Sequence, residues 1–206
     1  MQHGQDLGKP EYPVTGSDFS GIEGTNCYCS PESADIIRKN IAGMPLHAIH
    51  TIGTGDYHYI TLFWTERIEE PFALILYDNH PDDQETAFGG DILSCGSWVR
   101  SVRSLPMCKG VRWTDGGGTD HGVCIPEGIP VYISIDLDIL SEDDARTDWD
   151  QGTVSLEDLS ERIKMDIKAH RLIGADICGG LTVQKGASAV DLAINAGTTE
   201  ALIELF

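Results

Sequence analysis

The chain has 206 residues, 41% of them hydrophobic, which suits one domain with a sizeable core. Its formal net charge of −19 argues against nucleic acid and anionic membrane as partners and favours a small-molecule, cationic substrate. No apolar run has the length of a membrane-spanning helix and the first residues lack a signal-peptide core, so a cytoplasmic protein is expected.

Residues 1–15 are polar, with Gly4, Gly8, Pro10 and Pro13, and read as a loose lead-in. Residues 18–22 read as a first short strand. Ser30, Pro31 and Glu32 mark a helix start, and Ile36, Ile37 and Ile41 carry that helix to Gly43. Residues 46–52 read as a strand, and 59–68 as a helix with Ile60, Phe63 and Trp64 at helical spacing. Residues 72–77 are a short run of large apolar side chains, a buried strand that ends in Asp78-Asn79-His80-Pro81-Asp82. Residues 84–95 read as a loop around Gly89 and Gly90, 97–105 as a helix, 111–113 as a short strand and 114–123 as a Gly-rich loop. Residues 131–135 are β-prone and run into Asp136-Leu137-Asp138. An acidic stretch, 141–150, leads to a capping-box-like start at Ser155 and a helix with Leu156, Leu159, Ile163 and Ile167 on one face. Residues 172–178 form a further strand, and a last helix reaches the end, with Ser188 and Asn195 both suited to cap it. This alternation, without repeat or linker, predicts one α/β domain over 1–206: a mostly parallel sheet with helices on both faces, a three-layer α/β/α sandwich.

The chemistry gathers at two strand ends. Strand side chains alternate faces, so Asp78 and His80 share a direction, as do Asp136 and Asp138. Asp82, after Pro81, can turn back to the same point, and a parallel sheet brings both strand ends together where ligands bind. His58, in a Gly-rich turn opening a helix, is a further ligand candidate. Four carboxylates meeting without cations repel strongly, whereas two divalent ions cancel their charge. His58, Asp78, His80, Asp82, Asp136 and Asp138 therefore have the composition of an oxygen-rich two-metal site.

Asp78-x-His80-x-Asp82, then Ser134-x-Asp136-x-Asp138, with Gly55-Asp56-x-His58 upstream, resembles the arginase/agmatinase/formiminoglutamase (ureohydrolase) family, in a small branch of it. Residues 147–152 and 174–179 look like segments of that branch. The resemblance implies an arginase-like fold, two Mn²⁺ ions and a metal-bridging hydroxide that attacks the carbon of a guanidino, amidino or formimino group. It also implies that His58, Asp78, Asp82 and Asp136 hold one ion and Asp78, His80, Asp136 and Asp138 the other. Several positions depart from the family. Cys95-Gly96 stands where arginase-like members have His-Gly, and Gly179-Gly180 follow a strand where a substrate-orienting Glu is expected. Ser141-Glu142 replace Asp-Pro, and Tyr57 separates Asp56 from His58.

Besides the ligands, the candidates for catalytic roles are Asp138, Cys95 and His121, the last as a proton shuttle from the Gly-rich loop. Cys95 reads equally as a core thiol or a site-facing group. His47 and His50 read as core or surface histidines, Asp56 as a cap of the helix carrying His58, and Asp148 and Asp150 as turn residues, with Trp149 packing beside the site. The six cysteines make no zinc ribbon and read as reduced thiols. Three functions fit: a Mn²⁺-dependent C–N hydrolase; a degenerate relative that keeps its metals without turnover; and another two-metal hydrolase, deacetylase-like or phosphoesterase-like. A homo-oligomer is compatible with each.

Overall fold

The computed structural model describes residues 12–85 and 92–206. In chain order these hold β1 (Val14–Gly16), β2 (Tyr28–Cys29), α1 (Pro31–Ile41), β3 (Ile49–Gly53), α2 (Ile60–Thr65), β4 (Phe72–Tyr77), β5 (Leu93–Ser94), α3 (Trp98–Arg103), β6 (Cys108–Thr114), β7 (Asp120–Gly122), β8 (Val131–Asp136), α4 (Leu156–Ala169), β9 (Leu172–Cys178) and α5 (Ala189–Ile203). Seven strands form one sheet in the order β1-β3-β9-β8-β4-β6-β7. All its neighbours run parallel except β7, which pairs antiparallel with β6. β2 and β5 form a separate antiparallel ribbon.

β4, β8 and β9 are buried along their whole length, as apolar runs in the middle of a parallel sheet must be. Their alternation divides the core in two. Leu74, Leu76, Tyr132 and Cys178 pack with Ile37, Phe63 and Trp98, so α1, α2 and α3 cover one face. Ile75, Tyr77, Ile133, Ile135 and Ile177 pack with Leu159, Ile163 and Leu202, so α4 and α5 cover the other. This is the three-layer α/β arrangement expected from the alternation of runs. Serines start the helices: Ser30 accepts from Ser33 N–H and Ser155 from Asp158 N–H, and Ser188, not Asn195, caps α5 in a capping box with Asp191.

Three expectations differ. The first strand is Val14–Gly16, paired with β3, whereas the segment after it is a turn in which Asp18 accepts from Ser20 N–H and Phe19 O from Ile22 N–H. The end of the expected lead-in is thus an edge strand, and residues 1–11 lie outside the described residues. The Gly-rich loop at 114–123 contains β7, because Asp115 accepts from Gly117 and Thr119 N–H and closes a hairpin. The loop at 84–95 contains β5; the rest of it, with Gly89 and Gly90, lies outside the described residues. His50 is buried in a core position, where it stacks on Trp64 and bonds Thr15, whereas His47 is an exposed residue that bonds Ile173 O. Among the described residues no helix is long and apolar enough to cross a membrane.

Candidate metal centre

Register decides what meets at the carboxyl edge. β4 and β8 are neighbours with Tyr77 opposite Ile135, so Asp78 leaves the sheet beside Asp136. β8 and β9 are neighbours with Ser134 opposite Asp176 and Asp136 opposite Cys178. Asp138 sits in the single 3-10 turn after β8, where its N–H donates to Asp136 Oδ1 at 2.9 Å. His80 follows Asp78 in a turn closed by its own N–H to Asp78 Oδ1 at 2.6 Å. Asp82 stands at φ +46, a left-handed conformation that aspartate tolerates. That bend turns its carboxylate back, where Trp98 Nε1–H holds Oδ2 at 2.6 Å.

The six residues singled out by spacing lie in one cluster. His58 Nδ1 is 3.1 Å from Asp78, 3.2 Å from Asp82 and 3.4 Å from Asp136. His80 Nδ1 is 2.9 Å from Asp138 Oδ2, whose other oxygen accepts from Asn79 N–H. His58, Asp78 and Asp82 form one group able to hold an ion, and Asp78, His80 and Asp138 another. All are buried except His80, whose side chain is 31% exposed and forms the open side of the cluster.

A chain of hydrogen bonds behind His58 orients it. Ser134 Oγ–H donates to Asp176 Oδ1 at 2.6 Å, so at 2.8 Å the same oxygen accepts from His58 Nε2–H. Nδ1 is then the atom turned into the acids, the arrangement in which a histidine offers a metal its lone pair while its other nitrogen is fixed from behind.

The acids disfavour one another. Burial, then Asp82 and Asp138, raise Asp78 well above the usual carboxylate range; burial and Asp138 push Asp136 up to about 7. Burial works against charge on His58, but Cys178, Asp78 and Asp82 outweigh it and raise it, and the bond to Asp138 raises His80. Such a cluster needs positive charge at its centre, from protons or from cations. Four carboxylates and two imidazoles around a void of about 50 Å³ are a donor set and a space that fit divalent ions.

The other candidates divide. Cys95 lines the void with Gly96, Gln84 and Trp149, and burial and Cys27 push its thiol up to about 12. His121 is not brought to the centre: its Nε2 pairs with Asp115 at 2.7 Å and its ring stacks on Trp113, because β7 points it along the hairpin. Asp56 is not a cap; its buried carboxylate pairs with Lys185, which also grips Asp148. That ion pair joins the turn before His58 to the loop bearing Trp149, 39% exposed and edge-on to His80. Ser134, Asp176, Lys185 and Cys178 had no role from sequence; an aspartate inside the buried run 172–178 was the available signal. Gly179 stands at φ +100 and a Cβ there would meet Asp136 Oδ1 at 2.0 Å, so this backbone has no room for a glutamate at that position. Three larger cavities, about 740, 630 and 530 Å³, open elsewhere on the surface of the described residues, and the 630 Å³ one reaches Asp56 and Lys185.

No protein-family model matches the chain. A Thermotoga maritima protein described as uncharacterised is 36% identical over 172 residues, 77% of this chain and 68% of that protein. Arginase from Medicago truncatula superposes with a TM-score of 0.62 at 15% identity, over 85% of this chain and 65% of its own. Proclavaminate amidino hydrolase from Streptomyces clavuligerus gives 0.61 at 14%, over 85% and 70%. Formimidoylglutamase from Bacillus subtilis gives 0.60 at 15%, over 84% and 66%. The chain thus spans about two thirds of the length of each, and the likeness to the solved structures is one of fold.

Proposed function

Because the chain belongs to one family with the Thermotoga maritima protein and has the arginase-like fold of the ureohydrolases, we propose that it is a metal-dependent hydrolase of a linear C–N bond in a guanidino, amidino or formimino compound. The observation that carries the proposal is His58: its Nδ1 faces three carboxylates while Nε2 is tied through Ser134 to Asp176. In this reading His58, Asp78, His80, Asp82, Asp136 and Asp138 hold two divalent ions, with Asp78 and Asp136 shared. Bound there, divalent ions supply Lewis acidity and activate water at neutral pH.

The chain's own residues do the rest. Asp138 is fixed at both oxygens, Oδ1 accepting from Asn79 N–H and Oδ2 lying 2.9 Å from His80 Nδ1. Trp149 and His80 wall the open side of the cluster. Substrate entry turns on the loop of Trp149, held by Asp148 to Lys185.

A second reading, a metal-binding relative without turnover, is favoured by one observation: no acidic residue follows β9 before Asp191, and of the two positions where the glutamate is expected Gly179 has no room for a side chain, although Gly180 has. A screen for urea, ammonia and formamide release over guanidino, amidino and formimino compounds, run on protein loaded with Mn²⁺, with Zn²⁺ and with both, separates the two. The hydrolase reading expects release from at least one class. Metal-loaded protein that cleaves none of them establishes the second reading.

A further inference from the structure

The register that sets Asp136 opposite Cys178 has a chemical consequence. Both side chains leave the sheet on the face of α1, α2 and α3, and the Cys178 thiol stands 3.1 Å from Asp136 Oδ2. His58, Asp136 and Cys178 bring one nitrogen, one oxygen and one sulfur to within 4.8 Å of one another. All three residues are buried, Cys178 to 2% exposure. The chain is drawn into this arrangement by Gly179, the next residue, whose missing Cβ is what lets the Asp136 carboxylate lie against the end of β9. Sulfur therefore belongs to one half of the cluster only. Around Asp78, His80 and Asp138 the donors are oxygen and nitrogen.

We propose that Cys178 is a thiolate ligand to the ion held between His58 and Asp136, so that this position selects a thiophilic divalent ion such as Zn²⁺ while the position at His80 and Asp138 keeps a preference for hard ions. The proposal rests on the metal reading above and deepens it. Thiolate, imidazole and carboxylate are the donors from which zinc sites are built, whereas Mn²⁺ gains little from sulfur. On binding, the S–H bond of Cys178 breaks, its proton passes to solvent and a sulfur lone pair makes the bond to the metal; no electron is transferred. Two unlike positions in one cluster make this a mixed-metal centre.

Cobalt(II) is the probe, because a thiolate ligand gives it a near-ultraviolet sulfur-to-metal charge-transfer band that oxygen and nitrogen ligands do not give. The metal-stripped full-length chain is titrated with Co²⁺ and read by absorption. The expected result is a charge-transfer band that saturates at one Co²⁺ per chain, disappears in Cys178→Ser and persists in Cys95→Ser, the other thiol lining the void. Cys178→Ser is also expected to lower the preference for Zn²⁺ over Mn²⁺ by about tenfold or more in competition. Visible ligand-field bands without the charge-transfer band in the wild type overturn the thiolate proposal and leave the metal centre standing. Failure to bind Co²⁺, Zn²⁺ and Mn²⁺ alike overturns both. A band lost in Cys95→Ser and kept in Cys178→Ser overturns the assignment. Should Cys178→Ser fail to fold, the wild-type and Cys95→Ser spectra still decide, since a wild-type band absent, or lost with Cys95, refutes Cys178 as ligand.

Discussion

Removing the Ser134 hydroxyl tests whether the cluster is held from behind. Ser134 is fully buried and its Oγ accepts from His58 Nε2–H while donating to Asp176 Oδ1. Ser134→Ala keeps the strand and removes both bonds, leaving a buried N–H and a buried carboxylate oxygen without their partner. Each such group costs about 1–3 kcal/mol. Together they destabilise the metal-free protein by about 2–6 kcal/mol, a fall in Tm on the order of 5–25 °C for a chain of this size. His58 also loses the bond that fixes its ring, so Mn²⁺ affinity should fall about 10–100-fold. Thermal unfolding in chelator and calorimetric Mn²⁺ titration read the two effects. Asp176→Asn combined with Ser134→Ala should cost less than the sum of the single changes by about 0.5–3 kcal/mol, because both break the same chain. A Ser134→Ala protein with wild-type Tm and wild-type Mn²⁺ affinity refutes the reasoning.

Burial holds Asp136 at about 7 and Asp176 at about 6, both above the 3.8 of a free aspartate. Each therefore contributes stability that is complete below about pH 4 and lost as pH rises through its folded value. The Tm of chelated protein should fall between about pH 4 and 7 and Mn²⁺ should remove that slope; a flat or rising Tm in chelator contradicts it. Gly179→Ala forces a Cβ onto Asp136 Oδ1 at a positive φ, so it should cost more than about 1 kcal/mol and depress metal binding, read by unfolding and by calorimetry. Lys185→Met leaves the buried Asp56 carboxylate without its cation and should lower stability by about 1–3 kcal/mol, measured by denaturant unfolding at pH 7. Cys95→His puts an imidazole beside the void; if turnover lacks only a proton shuttle, the rate at neutral pH should rise about tenfold or more, and an unchanged rate points instead to poor substrate orientation.

The strand ends were legible because they are local. Apolar runs that stop at Asp78 and Asp136 announce both a buried strand and the edge where it emerges, and the two-residue period fixes which acids share a face. What the sequence could not supply is register between strands far apart in the chain. Ser134 faces Asp176 and Asp136 faces Cys178 only because β8 and β9 pair as they do. Cys178 therefore read as a strand residue like its neighbours. His121 went astray for a related reason: the glycines around it suggested a loop, but Asp115 closes a hairpin that turns the imidazole to itself. The three-residue β1 carries too few side chains for an alternation to be visible, and its place is set by pairing with β3.

The central claim is that the six-residue cluster holds divalent ions, and the metal content of the protein measures it directly. Protein loaded with divalent metal, dialysed free of excess and submitted to elemental analysis should retain two ions per chain. Asp136→Asn, which removes the shared carboxylate beside both His58 and Asp138, should retain fewer than one. Wild-type protein that retains none, or Asp136→Asn protein that retains as much as the wild type, contradicts the account.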